Sequence, residues 1–226
     1  MKLVIFDCDG TLVDSQRAIV ATMNEAFTGL GLVPPARSDV LAIVGLSLPE
    51  ALAVLAPDRT VAVRSELTQR YRAAFAAARL ANAQDEPLFP GAREAISGLG
   101  RRSDVALGIA TGKSRRGVRR LLDREGWHTQ FRTIQTADDH PSKPHPAMLL
   151  AAMAETGIAP EAAVMVGDTT FDMAMARQAG VYAVGVAWGY HPTERLREAG
   201  AQRIIAAFDD LPAVIDGRRA KQGMPS

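Results

Sequence analysis

The 226-residue sequence predicts an α/β fold: a doubly wound parallel sheet carrying an inserted, all-helical cap domain. Three observations predict it. Short apolar runs alternate with helix-period segments over most of the chain. Residues 15–84 interrupt that alternation with helical periodicity alone. Finally, the apolar runs end in acidic, hydroxyl and cationic residues, which is where open parallel sheets bind ligands.

The first apolar run, residues 3–6, is β-rich and stops at the turn signal Asp9-Gly10. Helical spacing then takes over. Ile19, Val20, Met23, Ala26, Phe27 and Leu30 share one face, and Val63, Leu67, Tyr71, Ala74 and Phe75 share another. Between them Ser47-Leu48-Pro49-Glu50 reads as a capping box, with Ser47 at the cap and Glu50 three residues on. Pro87, Pro90 and Gly91 mark the return to alternating structure. Strands follow at 105–110, 162–166, 181–186 and 203–206, separated by helices at 114–125, 146–156, 171–179 and 193–199. A buried parallel sheet flanked by helices accounts for such runs. The expected organisation is therefore a core of residues 1–14 and 85–226 and a helical cap of residues 15–84. Residues 217–226, polar, basic and without periodicity, are expected to be disordered.

Composition limits the function. With 47% hydrophobic and 23% charged residues the chain can bury a substantial core. A formal net charge of +1 gives no electrostatic reason to expect nucleic acid or an anionic membrane as partner. No run approaches the ~18 apolar residues of a membrane span. Residues 3–6 are too few for the core of a signal peptide and are followed by Asp7. The single cysteine, Cys8, permits no intrachain disulfide. Cytoplasm is the expected compartment.

The strand ends carry the chemistry. The first ends in Asp7-Cys8-Asp9-Gly10-Thr11, the 105–110 strand in Thr111-Gly112-Lys113, and the 162–166 strand in Gly167-Asp168-Thr169-Thr170-Phe171-Asp172. Ser142-Lys143-Pro144 precedes the 146–156 helix. Four Asp, one Thr and one Lys would converge on one rim. In this order, DxDGT at 7–11, Thr111, Lys143 and GDxxxD at 167–172 resemble the signatures of the haloacid dehalogenase superfamily of phosphohydrolases. The opening through Asp14-Ser15 and the stretch Gly185-Val186-Ala187-Trp188-Gly189-Tyr190 resemble its phosphoglycolate phosphatase-like branch. The resemblance covers nearly the whole chain and implies a Rossmann-like core with a helical cap after the first motif.

The resemblance implies a magnesium-dependent phosphatase acting on a small phosphorylated metabolite; the sequence leaves monomer and homodimer both open. Asp7 would be the nucleophile and pass through an aspartyl phosphate. Asp9 would be the general acid and then base, a role that requires it to hold a proton when substrate is bound. Asp7, the backbone carbonyl of Asp9, Asp168 and Asp172 (directly or through water) would hold Mg²⁺. Thr111, the backbone N–H of Gly112, and Lys143 would bind the phosphate. With Asp9 protonated, three carboxylates against a divalent cation and one lysine leave the pocket neutral enough for a phosphate dianion.

Gly45, Leu46 and Ser47 are candidate specificity residues in the cap; a plain helix–helix turn is the alternative reading. Cys8 should point away from its flanking aspartates into the core. Arg115, Arg116, Arg119, Arg120 and Arg124 read as a solvated basic face, or as a contact to an anionic substrate or partner. The four histidines lack zinc-ligand spacing, Met173 and Met175 should pack, and Trp188 and Tyr190 should anchor a loop near the rim. A sugar phosphomutase could use a similar site. A phospho-receiver combines similar residues but is usually a single domain without a helical insertion. Dehalogenase chemistry would leave Asp9, Asp168 and Asp172 without a purpose.

Overall fold

The computed structural model describes residues 1–80 and 86–217. Its centre is one parallel sheet of six strands: Lys2–Phe6 (β1), Val105–Thr111 (β2), Phe131–Thr136 (β3), Ala163–Gly167 (β4), Tyr182–Val186 (β5) and Arg203–Ile205 (β6), in the order β3-β2-β1-β4-β5-β6. The chain winds outward from β1 through β2 to β3, then crosses back and builds the other half. Strand order therefore reverses at β1, and a crevice opens beyond the carboxyl ends of β1 and β4. Phe6 pairs with Val166 of β4 and with Ile109 of β2, so the residues following these strands emerge side by side.

Strand alternation sorts the core into two layers. Val4 and Phe6 pack with Ile96, Val118 and Leu211 on one face, beneath Ala92–Gly100 (α5), Arg115–Glu125 (α6) and Leu211–Gly217 (α10). Leu3 and Ile5 pack with Met148, Met173 and Ala176 on the other, beneath Ala147–Thr156 (α7), Thr170–Gln178 (α8) and Thr193–Ala199 (α9). Cys8 continues the Val4–Phe6 side and is buried in that first cluster. Met173 and Met175 pack in the second.

Residues 16–80 contain four helices and no strand: Gln16–Thr28 (α1), Arg37–Ala42 (α2), Leu48–Leu55 (α3) and Val61–Leu80 (α4). They bury a separate core of Ile19, Met23, Phe27, Val40, Leu52 and Leu67. Each such side chain contributes about 1.5–3 kcal/mol. The two chain crossings between this segment and the sheet are bonded to each other. Asp14 N donates to Pro87 O (2.8 Å) and Phe89 N to Leu12 O (2.9 Å). The expected boundary at 84/85 and the tail beyond Gly217 lie outside the described residues.

Three features depart from the sequence reading. Strand β3 was not expected, because its side chains are largely polar. Thr133 Oγ1 and Gln135 Nε2 donate to Glu155 Oε2 (2.6 and 2.8 Å), so polar residues occupy a half-covered strand with their hydrogen bonds made. Helix α5 also went unread. Ser47 precedes α3, but its side chain makes no cap hydrogen bond; its backbone N–H donates instead to Ser142 Oγ (2.8 Å). The capping box lies elsewhere, at Thr169 and Asp172 of α8.

Candidate active site

Three strand ends and one loop build the site. After β1 the chain turns at once: the N–H groups of Thr11, Leu12 and Val13 all point to Cys8 O at 3.2, 2.9 and 2.9 Å. Gly10 adopts a φ of 84° there, and a Cβ at that position would stand 2.1 Å from Asp168 Oδ2. Only glycine allows both the turn and the close approach of β4's carboxylate. Asp7 Oδ1 accepts the N–H of Cys8 (2.7 Å).

Lys143 is fully buried, with Nζ 2.9 Å from Asp7 Oδ2 and 2.6 Å from Asp172 Oδ1. Asp172 Oδ2 is taken up by Thr169, accepting its N–H (3.0 Å) and its hydroxyl (2.7 Å). Asp172 thus caps α8 through one oxygen and meets Lys143 through the other. Asp168 is held from two directions: Oδ1 by Thr11 Oγ1 (2.9 Å) and Oδ2 by the N–H of Tyr190 (2.9 Å). The loop anchors expected at 188 and 190 sit behind these contacts. Trp188 Nε1 donates to Thr11 O (3.0 Å), and Tyr190 Oη accepts the N–H of Ser15 (3.0 Å).

Carboxylate oxygens of Asp7, Asp168 and Asp172 lie within 4.8 Å of one another, all buried. Such crowding perturbs their protonation. Burial pushes Asp7 up to about 6, against the pull of Lys143 and with added repulsion from Asp172. Burial, then repulsion from Asp172 and Asp7, holds Asp168 well above the ordinary value. Burial opposes the charge of Lys143, but Asp172 and Asp7 outweigh it and hold the ammonium above the usual lysine range. Asp7 Oδ2 is buried and has no partner besides the Lys143 ammonium 2.9 Å away. Three buried carboxylates this close, with one Asp7 oxygen facing only an ammonium group, are a set of hard oxygen donors that fits a small divalent cation such as Mg²⁺.

Asp7 and Asp9 open into a cavity of about 650 Å³, whose lining includes Thr111, Gly112 and the segment 43–49. Gly45, Leu46 and Ser47 come down onto the carboxyl end of β2. A Cβ on Gly112 would stand 2.5 Å from Gly45 O and 2.7 Å from Leu46 O. The loop is therefore packed against the core rather than turned away from it.

The sequence reading passed over two contacts. Lys113 Nζ pairs with Asp9 Oδ1 (2.7 Å) and with Glu86 Oε1 (3.0 Å), and lies 6.0 Å from the Phe75 ring centroid. Burial disfavours its charge, but Asp9 and Glu86 outweigh that and hold Lys113 above the usual lysine range. Nothing in the local pattern marked it beyond its place after Thr111-Gly112. His191 joins the two halves: Nδ1 accepts the N–H of Thr170 (3.1 Å) and Nε2 lies 3.2 Å from Ala42 O. The Arg-rich helix is split in character, since Arg116 and Arg120 line the cavity while Arg115 pairs with Asp139 (2.5 Å).

Comparison with known proteins agrees with this architecture. The haloacid dehalogenase-like hydrolase family matches residues 4–186. A probable phosphatase, IndB, from Dickeya dadantii is 38% identical over 215 residues, covering 92% of this chain and 91% of its own. A phosphoglycolate phosphatase from Pseudomonas putida is 32% identical over 219 residues, covering 96% and 79%. Among solved structures, a putative haloacid dehalogenase-like hydrolase from Bacteroides fragilis superposes with a TM-score of 0.85 at 26% identity, covering 93% of this chain and 99% of its own. No helix among the described residues is long and apolar enough to cross a membrane. With four motifs meeting at the reversal point of this sheet and a family match over most of its length, the chain belongs to the haloacid dehalogenase-like hydrolases, in the phosphoglycolate phosphatase-like branch.

Proposed function

We propose that this chain is a magnesium-dependent phosphoric monoester hydrolase of the cytoplasm, acting on a small phosphorylated metabolite through phospho-Asp7. The observation that carries the proposal is the buried cluster of Asp7, Asp168, Asp172 and Lys143, in which one oxygen of Asp7 lacks a hydrogen bond. Asp7 attacks phosphorus in line, and the ester P–O bond breaks as the Asp7–phosphorus bond forms. Asp9, on the same cavity, gives its proton to the departing alkoxide, a role that requires substrate binding to free it from its pair with Lys113 and leave it protonated. It then takes a proton from the water that cleaves the aspartyl phosphate, releasing inorganic phosphate and restoring Asp7. Lys143 offsets the charge of Asp7 and of the transferring group, while Thr111 and the Gly112 N–H hold phosphate oxygens. Asp7, the Asp9 carbonyl, Asp168 and Asp172 (directly or through water) would hold magnesium, which supplies Lewis-acid polarisation of the phosphoryl group when bound. The engagement of both Asp172 oxygens by Thr169 and Lys143 favours the water-mediated form for that residue.

Residues 15–84 act as a cap in this reading. Packing of residues 45–47 over Gly112 and Ser142 supports a role in excluding water and selecting the leaving group. The test is phosphate release from a metabolite panel with magnesium and with chelator, for wild type and Asp7→Asn. The proposal expects magnesium-dependent release that Asp7→Asn lowers by about 10³-fold or more. Near-wild-type activity in Asp7→Asn would refute the nucleophile. Isomerised hexose phosphate with little free phosphate would point to a phosphomutase instead.

A further inference from the structure

The mouth of the cavity carries charge that the phosphatase mechanism does not use. Arg72 of α4 and Arg116 of α6 come from separate parts of the chain and line the same opening, both exposed. Among the described residues neither forms an ion pair. Their neighbours behave differently: Arg70 pairs with Glu66 (2.9 Å) and Arg115 with Asp139 (2.5 Å). The carboxylates lining the cavity are otherwise engaged. Asp7 faces Lys143, Asp9 pairs with Lys113, and Asp138 accepts the backbone N–H of Arg115 at 2.8 Å. Two guanidinium groups thus share one opening without a protein counter-ion.

Part of the cavity wall is apolar. Tyr71 and Phe75, one helical turn apart on α4, stack with ring centroids 6.0 Å apart and planes at 25°. Ile19 and Met23 of α1 join them on the lining. The volume of about 650 Å³ lies within the ~300–1,000 Å³ range of sites for drug-sized ligands. A phosphoryl group on a two-carbon body fills only a small part of such a volume.

We propose that the substrate is an elongated phosphomonoester with an apolar, preferably planar body and a second oxyanion at its far end, which Arg72 and Arg116 bind. The inference rests on the phosphatase reading of the same cavity and narrows it. Planar guanidinium forks suit a carboxylate or a second phosphate equally well in geometry. The apolar body lies along Tyr71 and Phe75, and the ester phosphate reaches Asp7.

Three aryl esters test it: 4-carboxyphenyl phosphate, 4-phosphonophenyl phosphate and the near-isosteric, uncharged 4-carbamoylphenyl phosphate. The quantity read is the ratio of kcat/KM for each anionic ester to that for the carbamoyl ester, so differences in leaving group cancel between proteins. For contacts at this exposure, Arg72→Gln and Arg116→Gln should each lower the ratio about two- to fivefold, through KM. The double variant should lower it further, and Arg→Lys at both positions should recover part of it. Whichever anionic ester shows the larger change identifies the oxyanion. An unchanged ratio in the double glutamine variant, with phosphate still released from the carbamoyl ester, overturns this inference alone. No release from any of the three esters, with phosphate still released from the metabolite panel, overturns this inference; no release from either set with magnesium overturns the phosphatase reading and this inference with it.

Discussion

Replacing Lys143 by Met removes the only cation bonded to Asp7 and Asp172 among the described residues. Its Nζ lies 2.9 Å from Asp7 Oδ2 and 2.6 Å from Asp172 Oδ1, with its side chain wholly excluded from solvent. Methionine fills similar volume, so packing is nearly kept and the change is chiefly electrostatic. Deleting one partner of a buried pair costs about 3–5 kcal/mol, because the remaining charge is left uncompensated. Here two carboxylates lose their partner and a third, Asp168, stands within the same cluster. For a chain of this length, 1 kcal/mol shifts Tm by about 2–4 °C, so Lys143→Met should lower it by about 10 °C in chelator near neutral pH.

Two controls make that result specific. Adding Asp172→Asn to Lys143→Met should recover a large part of the loss, since it removes one stranded charge. The deficit should also shrink in acid. Burial raises the folded-state value of Asp7 to about 6 from an ordinary 3.8, so the folded form takes up a proton before the unfolded one. Loss of Lys143 moves that folded-state value higher still, so in the variant the charge penalty begins to be relieved at a higher pH and is gone below 3.8. Scanning calorimetry and urea titration at several pH values provide the measurement. A Tm within about 2 °C of wild type, or a double variant no better than the single one, would refute the electrostatic account of the cluster.

Gly112→Ala places a methyl group at 2.5–2.7 Å from the carbonyl oxygens of Gly45 and Leu46. The loop must lift away, and phosphate release should fall by about 10-fold or more with little change in Tm, because misplacement near 1 Å costs up to ~10²-fold. Steady-state kinetics beside a melting curve check this; full activity would show that the loop contact is not used. His191 is held below the ordinary histidine value, first by burial, so the unfolded chain binds a proton more readily than the folded one. Stability from this group is present above the unfolded value of 6.5 and declines as pH falls through it. His191→Gln should flatten Tm against pH between about 7 and 5, while an unaltered profile would assign that slope to other groups.

What the sequence determined by itself was whatever is written in local spacing. Asp7, Asp168 and Thr111 stand at the ends of apolar runs, and a run of that kind surrounded by helical periods becomes a buried parallel strand whichever strand it pairs with. Their order along the chain then identified the family. Strand β3 escaped because Thr133 and Gln135 look exposed until Glu155 of α7 satisfies them. Only the tertiary structure decided the long-range partners. Lys113 meets Asp9, 104 residues away, the Tyr190 N–H meets Asp168, and Ser47 takes its partner from Ser142 rather than from its own helix. The same holds for Arg116, which reads as one more cation on a solvated helix until folding turns it towards a cavity shared with Arg72. Periodicity fixes which side of an element is buried; which residue lies opposite a charge depends on how elements from distant parts of the chain are packed together.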